Sequence, residues 1–153
     1  MLEVGSKAYD FTLNNELGEA ISLSDFLGKK VVLYFYPKDN TAGCSKQACG
    51  FKDQYYELIA QNAVVIGISK DNQKSHQKFK DKYELPFYLL CDEDHQVMEA
   101  YDVWKEKKMC GKTYMGTIRA TYIIDEQGYI IKTYPKANTT SNALDVLNYL
   151  QSL

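Results

Sequence analysis

Val31-Val32-Leu33-Tyr34-Phe35-Tyr36, closed by Pro37, is the stretch from which the fold is read. Six consecutive apolar, β-branched or aromatic residues without alternation suit a strand buried on both faces. Val64-Val65-Ile66-Gly67-Ile68 is a second such run, and Phe87–Leu90 and Ala120–Ile124 are a third and a fourth. After the fourth, Asp125-Glu126-Gln127-Gly128 reads as a turn that brings Tyr129–Tyr134 back as a hairpin partner. A weaker N-terminal hairpin joins Asp10–Leu13 to Glu19–Ser22 through Asn14-Asn15 and Gly18.

Helical spacing fills the intervals. Ala48, Phe51, Tyr55, Leu58 and Ile59 recur at three- and four-residue steps, which predicts a helix between the first two strands. Asp71 is the expected cap of a second helix that carries Phe79 and Tyr83 and ends before Pro86. Val97, Met98 and Tyr101 predict a short third helix. Ala143, Leu147 and Leu150 predict the last, capped from Thr139–Ser141. The order predicts an α/β fold: a mixed central β-sheet flanked by helices. A thioredoxin-like arrangement satisfies it, and periodicity alone also fits other small α/β folds.

At 153 residues the chain suits one domain spanning 1–153. Apolar residues make up 45% and charged residues 25%, the balance of an ordinary globular protein. A net charge of −2 gives no global attraction to nucleic acid or to an anionic membrane surface. No stretch approaches the roughly 20 apolar residues of a membrane helix. The opening MLEVGSKAYDF has no basic segment followed by an apolar run, so a cytoplasmic location is expected. In a reducing compartment the four cysteines, Cys44, Cys49, Cys91 and Cys110, do not suit a structural disulfide framework; any pairing would be catalytic or transient.

Between Pro37 and Cys44 a buried strand gives way to a short polar loop and then to a helix. Cys44 therefore falls at or near a helix N-terminus, where unpaired backbone N–H groups and the helix dipole favour a thiolate, the reactive form of cysteine. The bland alternative is a small buried residue in the first turn of a core helix. Cys49 lies five residues on. In an intact helix the two side chains would point about 140° apart, with Cα atoms roughly 8–9 Å from one another, whereas a disulfide wants less than about 7 Å. Either the two cysteines are unrelated, or they join only when the helix start unwinds. The spacing is not the CxxC of disulfide oxidoreductases or zinc ribbons.

Other features favour bland readings. His76 and His95 show no paired ligand spacing, so zinc is not expected. Asp92-Glu93-Asp94-His95 reads as a solvated turn and helix cap, Lys105, Lys107 and Lys108 as a solvated face, and Trp104 as a packing anchor. Arg119 is the single arginine among 18 basic residues. It is either a surface charge or a guanidinium used where a partly buried, rigid fork of donors is needed.

The segment from Tyr34 to Cys49, YFYPKDNTAGCSKQAC, resembles the active-site segment of peroxiredoxins, and in particular the bacterioferritin-comigratory or Q-type subfamily. The family's Pro-x-x-x-Thr-x-x-Cys motif falls on Pro37, Thr41 and Cys44. Similarity continues through Leu85-Pro86-Phe87, Val103-Trp104, Lys112–Gly116, Arg119, Tyr122–Asp125 and Gly128. The resemblance implies a thioredoxin-like fold and a thiol peroxidase without metal, flavin or haem. It implies that Cys44 attacks hydrogen peroxide or an organic hydroperoxide, and that Cys49 resolves the product as an intramolecular disulfide. Arg119, Thr41 and Pro37 would shape the peroxide site. Thioredoxin or a similar dithiol protein would be the reductant, and a monomer would suffice. Two departures stand out: Gln47 where many relatives carry Glu, and Ala8-Tyr9 where Ala-Pro is usual. Cys91 and Cys110 lie outside the catalytic pattern, as a core or strand-end residue and an exposed one. Rival readings are a thioredoxin-like disulfide reductase and a non-enzymatic redox-sensing or holdase protein.

Overall fold

The strand expected at Val31–Tyr36 runs as β3 over Lys30–Phe35 in the computed structural model, which describes residues 1–153. Val32 and Tyr34 point to one face of the sheet, Val31, Leu33 and Phe35 to the other, and all five are buried. That two-sided burial is why the run shows no polar alternation. β4 (Ala63–Ser69) pairs with β3 in parallel, and β5 (Tyr88–Cys91) pairs in parallel with β4. On the opposite flank, β8 (Ala120–Ile124) is antiparallel to β3 and β9 (Ile130–Tyr134) is antiparallel to β8. The N-terminal hairpin, β1 (Thr12–Asn14) and β2 (Ala20–Ser22), completes a seven-stranded mixed sheet in the order β2-β1-β5-β4-β3-β8-β9.

Helices cover both faces. α1 (Ala42–Asp53), α2 (Tyr55–Ala60), α3 (Gln73–Tyr83) and α5 (Asn142–Gln151) contribute Phe51, Leu58, Phe79 and Val146 to the core around Tyr34. α4 (Gln96–Ala100) contributes Val97 and Met98 to the other core, around Leu33 and Phe35. The single helix expected through Ala48–Ile59 is two, broken at Gln54. No helix is long and apolar enough to cross a membrane.

Three local expectations change. Asn72, not Asp71, caps α3: its side chain accepts from the Ser75 N–H at 2.9 Å, while Asp71 turns inward. At α5 the Ser141 hydroxyl makes no cap bond; the Asn138 side chain instead accepts from the N–H groups of Thr140 and Ser141. Lys105 and Lys108 are exposed as a solvated face should be, with Lys107 half-buried, but the stretch that carries them belongs to an unexpected hairpin of β6 (Trp104–Met109) and β7 (Lys112–Thr117). Its sides are largely exposed, so it carries no apolar half by which a period of two could be seen. Cys110 and Gly111 turn it with φ of 52° and 77°, the left-handed pair that suits a tight hairpin. Trp104 does anchor packing, stacked on His95 with ring centroids 4.0 Å apart.

Gly67 lets β4 pass beneath the aromatic core. A Cβ there would sit 2.9 Å from Tyr34 Cζ and 3.0 Å from Leu89 Cδ2, both fixed by packing. Gly67→Ala is expected to cost about 1–3 kcal/mol through overpacking. Urea unfolding with an unchanged slope checks it; a loss below a few tenths would show that the ring can move aside.

Candidate active site

The loop from β3 to α1 is held from beneath. Asp39, in its middle, is buried and accepts from Tyr36 Oη at 2.5 Å, Ser75 Oγ at 2.8 Å and His76 Nδ1 at 2.6 Å. Its own N–H donates to Asp71 Oδ2 at 2.8 Å, and Asp71 also accepts from Ser69 Oγ at 2.7 Å. His76 Nε2 lies 2.9 Å from the Leu90 carbonyl. A carbonyl only accepts, so Nε2 carries a proton; a carboxylate only accepts, so Nδ1 carries one too. Burial is the largest single influence and opposes the resulting charge, but the Asp39 hydrogen bond, the Cys91 side chain, the Asp39 charge and the Leu90 carbonyl together outweigh it and push His76 up to about 10.

His76 is thus not the isolated residue its sequence context suggested. It lies close to Asp39 and Asp71 in a group of a kind that can hold a metal. Both its ring nitrogens are already engaged as donors, so the ring offers no lone pair to an ion.

Asn40, with φ 58°, turns the chain out of this clamp, and Thr41 is the N-cap residue of α1. The Thr41 hydroxyl donates to the Lys38 carbonyl at 3.0 Å. The first amide of α1 with a helical partner is that of Ser45, bonded to the Thr41 carbonyl at 2.8 Å. The N–H groups of Gly43 and Cys44 precede it, in the half-turn where helical partners do not exist. Cys44 therefore sits where the sequence placed it, in the first turn of α1, 2% exposed. Pro37, half-buried, opens the loop that Thr41 closes.

Arg119, the last residue before β8, reaches across to this turn. Nη2 donates to Cys44 Sγ at 3.3 Å and Nη1 to Gln47 Oε1 at 2.8 Å. Gln47 Nε2 donates in turn to Asn142 Oδ1 at 3.1 Å, which also accepts from Thr121 Oγ1 at 2.9 Å. Gln47 thus orients the guanidinium through neutral hydrogen bonds, and no carboxylate pairs with Arg119. A donor with a full positive charge interacts more strongly with a thiolate than with a thiol. A Cβ on Gly43 would lie 3.4 Å from Arg119 Nη2 and 3.3 Å from Thr139 Cγ2, so glycine lets the arginine lie against the helix start.

Cys49 lies in the same unbroken helix and is half-buried, and all four cysteines are free thiols. Five residues of intact helix keep the two Cα atoms roughly 8–9 Å apart, so the fold does not bring Cys44 and Cys49 together. Burial pushes the Cys49 thiol up, the Asp53 charge adds to this and Lys52 opposes it. Cys91 ends β5, and Cys110 is exposed at the hairpin tip. Asp92, expected in a solvated turn and helix cap, is buried rather than solvated but does cap α4, accepting from the N–H groups of Val97 and Met98.

Arg119, which touches the sulfur, and Gln47, which holds that arginine, both stand out in the sequence, whereas Asp39, His76 as its partner and Asn142 do not. Asp39 and His76, like Gln47 and Asn142, meet across long separations in the chain. No local spacing marks such pairs.

Three comparisons bear on this arrangement. The model of the AhpC/TSA family matches residues 4–133. The chain is 50% identical over 149 residues to the putative peroxiredoxin bcp of Coxiella burnetii, covering 97% of this chain and 99% of that one. It is 46% identical over 152 residues to the peroxiredoxin Bcp of Bacillus subtilis, covering 99% and 97%. Among solved structures, the bacterioferritin comigratory protein of Xanthomonas campestris, studied for its alkyl peroxide reduction activity, superposes with a TM-score of 0.91. Identity there is 32%, over 99% of this chain and 97% of that one. With a family match over most of its length and near-half identity to named relatives, the chain belongs to the AhpC/TSA family of thiol-dependent peroxidases, among the peroxiredoxins of the bacterioferritin-comigratory or Q type.

Proposed function

We propose that this peroxiredoxin reduces hydrogen peroxide and organic hydroperoxides through Cys44, with Cys49 as its resolving partner. The observation that carries the reading is the 3.3 Å contact from the Arg119 guanidinium to Cys44 Sγ in the first turn of α1. The Cys44 thiolate attacks the terminal peroxide oxygen, the O–O bond breaks, and the leaving alkoxide or hydroxide takes a proton to depart as alcohol or water. Arg119 and the N–H groups at the helix start face the charge that builds on that oxygen. The Thr41 hydroxyl, its proton held by the Lys38 carbonyl, keeps lone pairs that accept from a hydroperoxide O–H, and Pro37 restricts the loop that positions it.

Cys44 is then a sulfenic acid. Resolution requires the first turns of α1 to unwind, because an intact helix holds Cys49 out of reach. Unwinding also releases Cys49 from the burial that raises its thiol, so it becomes a better nucleophile in the shape that needs it. Its attack on the Cys44 sulfur expels water and leaves an intramolecular disulfide. A dithiol protein of thioredoxin type returns both residues to thiols by disulfide exchange. Since resolution occurs within one chain, the cycle runs in a monomer.

Mass spectrometry after one equivalent of hydrogen peroxide tests the pairing. The expected product of the wild-type protein is a Cys44–Cys49 linked peptide. Cys49→Ser is expected to accumulate a sulfenic acid at Cys44 that dimedone captures. Absence of the linkage would remove Cys49 from the cycle.

A further inference from the structure

Around Arg119 the surface opens into a hollow of about 460 Å³, lined also by Lys107, Lys136, Asn138, Thr139 and the apolar Ile118. Arg119 is the residue that touches the reacting sulfur, so the hollow adjoins the peroxide site. Three cations contribute to its lining and no acidic residue does. They come from three separate parts of the chain: β6, the residue before β8, and the loop after β9.

None of the three forms an ion pair anywhere in the molecule. The Arg119 guanidinium bonds only the neutral Gln47 and the Cys44 sulfur, and Lys107 Nζ donates to the Thr117 carbonyl at 2.9 Å. Lys107 is half-buried; burial, followed by the charges of Arg119 and Lys70, pushes its ammonium down, while Cys44 pulls it up. Three like charges with no carboxylate partner, and at most the single Cys44 thiolate to answer them, make a local positive field that a further anion would relieve.

We propose that this hollow is a carboxylate-binding subsite, so that among organic hydroperoxides the enzyme selects those that carry an acid group. The inference rests on the peroxidase reading above. Lys107 and Lys136 receive the carboxylate, Asn138 and Thr139 supply further polar contacts, and Ile118 meets the intervening alkyl chain. The hydroperoxide end is left facing Arg119 and Cys44. Charge held this near the surface is screened by salt, which gives the subsite its experimental signature.

The test compares kcat/KM for hydroperoxyhexanoic acid with that for its methyl ester, in wild type, Lys136→Glu and Lys136→Arg, at low and high ionic strength. Lys136 is exposed, so these changes leave the core untouched. Wild type is expected to favour the acid by about tenfold at low salt, with the ratio falling towards one as salt rises. Lys136→Glu is expected to bring the ratio to one or below, and Lys136→Arg to preserve it. Equal use of acid and ester by the wild type, or a ratio indifferent to Lys136→Glu, overturns the proposal. Hydrogen peroxide separates its failure from that of the parent reading. If hydrogen peroxide is consumed without acid preference, only the subsite is wrong; if no hydroperoxide is consumed, the peroxidase reading falls and takes the subsite with it.

Discussion

Cys44→Ser is expected to lower kcat/KM for hydrogen peroxide by about 10³-fold or more, with the fold intact. A serine hydroxyl at neutral pH supplies almost no anion, and oxygen is the poorer nucleophile towards a peroxide O–O bond. Losing the nucleophile of a covalent mechanism removes everything that depended on it, so residual turnover should be close to that of free thiol or buffer. The substitution is nearly isosteric at a site only 2% exposed, and the Arg119 guanidinium can still donate to the hydroxyl. Unfolding by urea should therefore change little while rapid-mixing peroxide consumption collapses. A Cys44→Ser protein that retained peroxidase activity would sink the mechanism.

His76→Gln carries the second large effect, on stability. The substitution removes the cation that faces Asp39 in a fully buried pair, leaving a carboxylate with only the Tyr36 and Ser75 hydroxyls and no charge partner. Breaking a buried ion pair from one side costs about 3–5 kcal/mol. The wild-type pair also has a pH signature. His76 in the folded state is raised to about 10 from an ordinary 6.5. A raised folded value means that the contribution is complete below the unfolded value and is lost as pH climbs from about 6.5 through about 10. The stability gap between wild type and His76→Gln should therefore be widest near pH 6 and narrow steadily towards pH 10. Urea titrations of both proteins across that range measure the gap. A gap that stays constant with pH would mean that the ring is neutral in the folded protein. Because Asp39 lies in the loop that delivers Cys44, the variant should also open the start of α1 more often, visible as faster amide exchange there.

Some of this molecule was written in local pattern. The run Val31–Tyr36 could only be a strand covered on both faces, because six apolar side chains in a row leave no polar side for water. Pro37 had to end it, and a helix starting after a polar loop had to put Cys44 near free amides. The five-residue step to Cys49 already implied that the pair cannot meet in an intact helix. Such conclusions follow from backbone geometry and periodicity, which act over a few residues and so can be read from a few residues.

Tertiary structure decided the rest, because it depends on which distant segments the sheet brings side by side. The two exposed strands from Trp104 to Thr117 bury too little to leave a period of two, and only their pairing reveals them. His76 looked solitary until α3 packed it against the loop carrying Asp39, whose hydrogen bond and charge help turn an ordinary imidazole into a charged clamp against the cost of burial. Arg119 lies 75 residues from the cysteine it touches, oriented by Gln47 and Asn142 from two different helices. The sequence alone determined that Cys44 would stand at the head of a helix; only the folded chain decided what charge faces it, since electrostatics acts through space and takes no account of order along the chain.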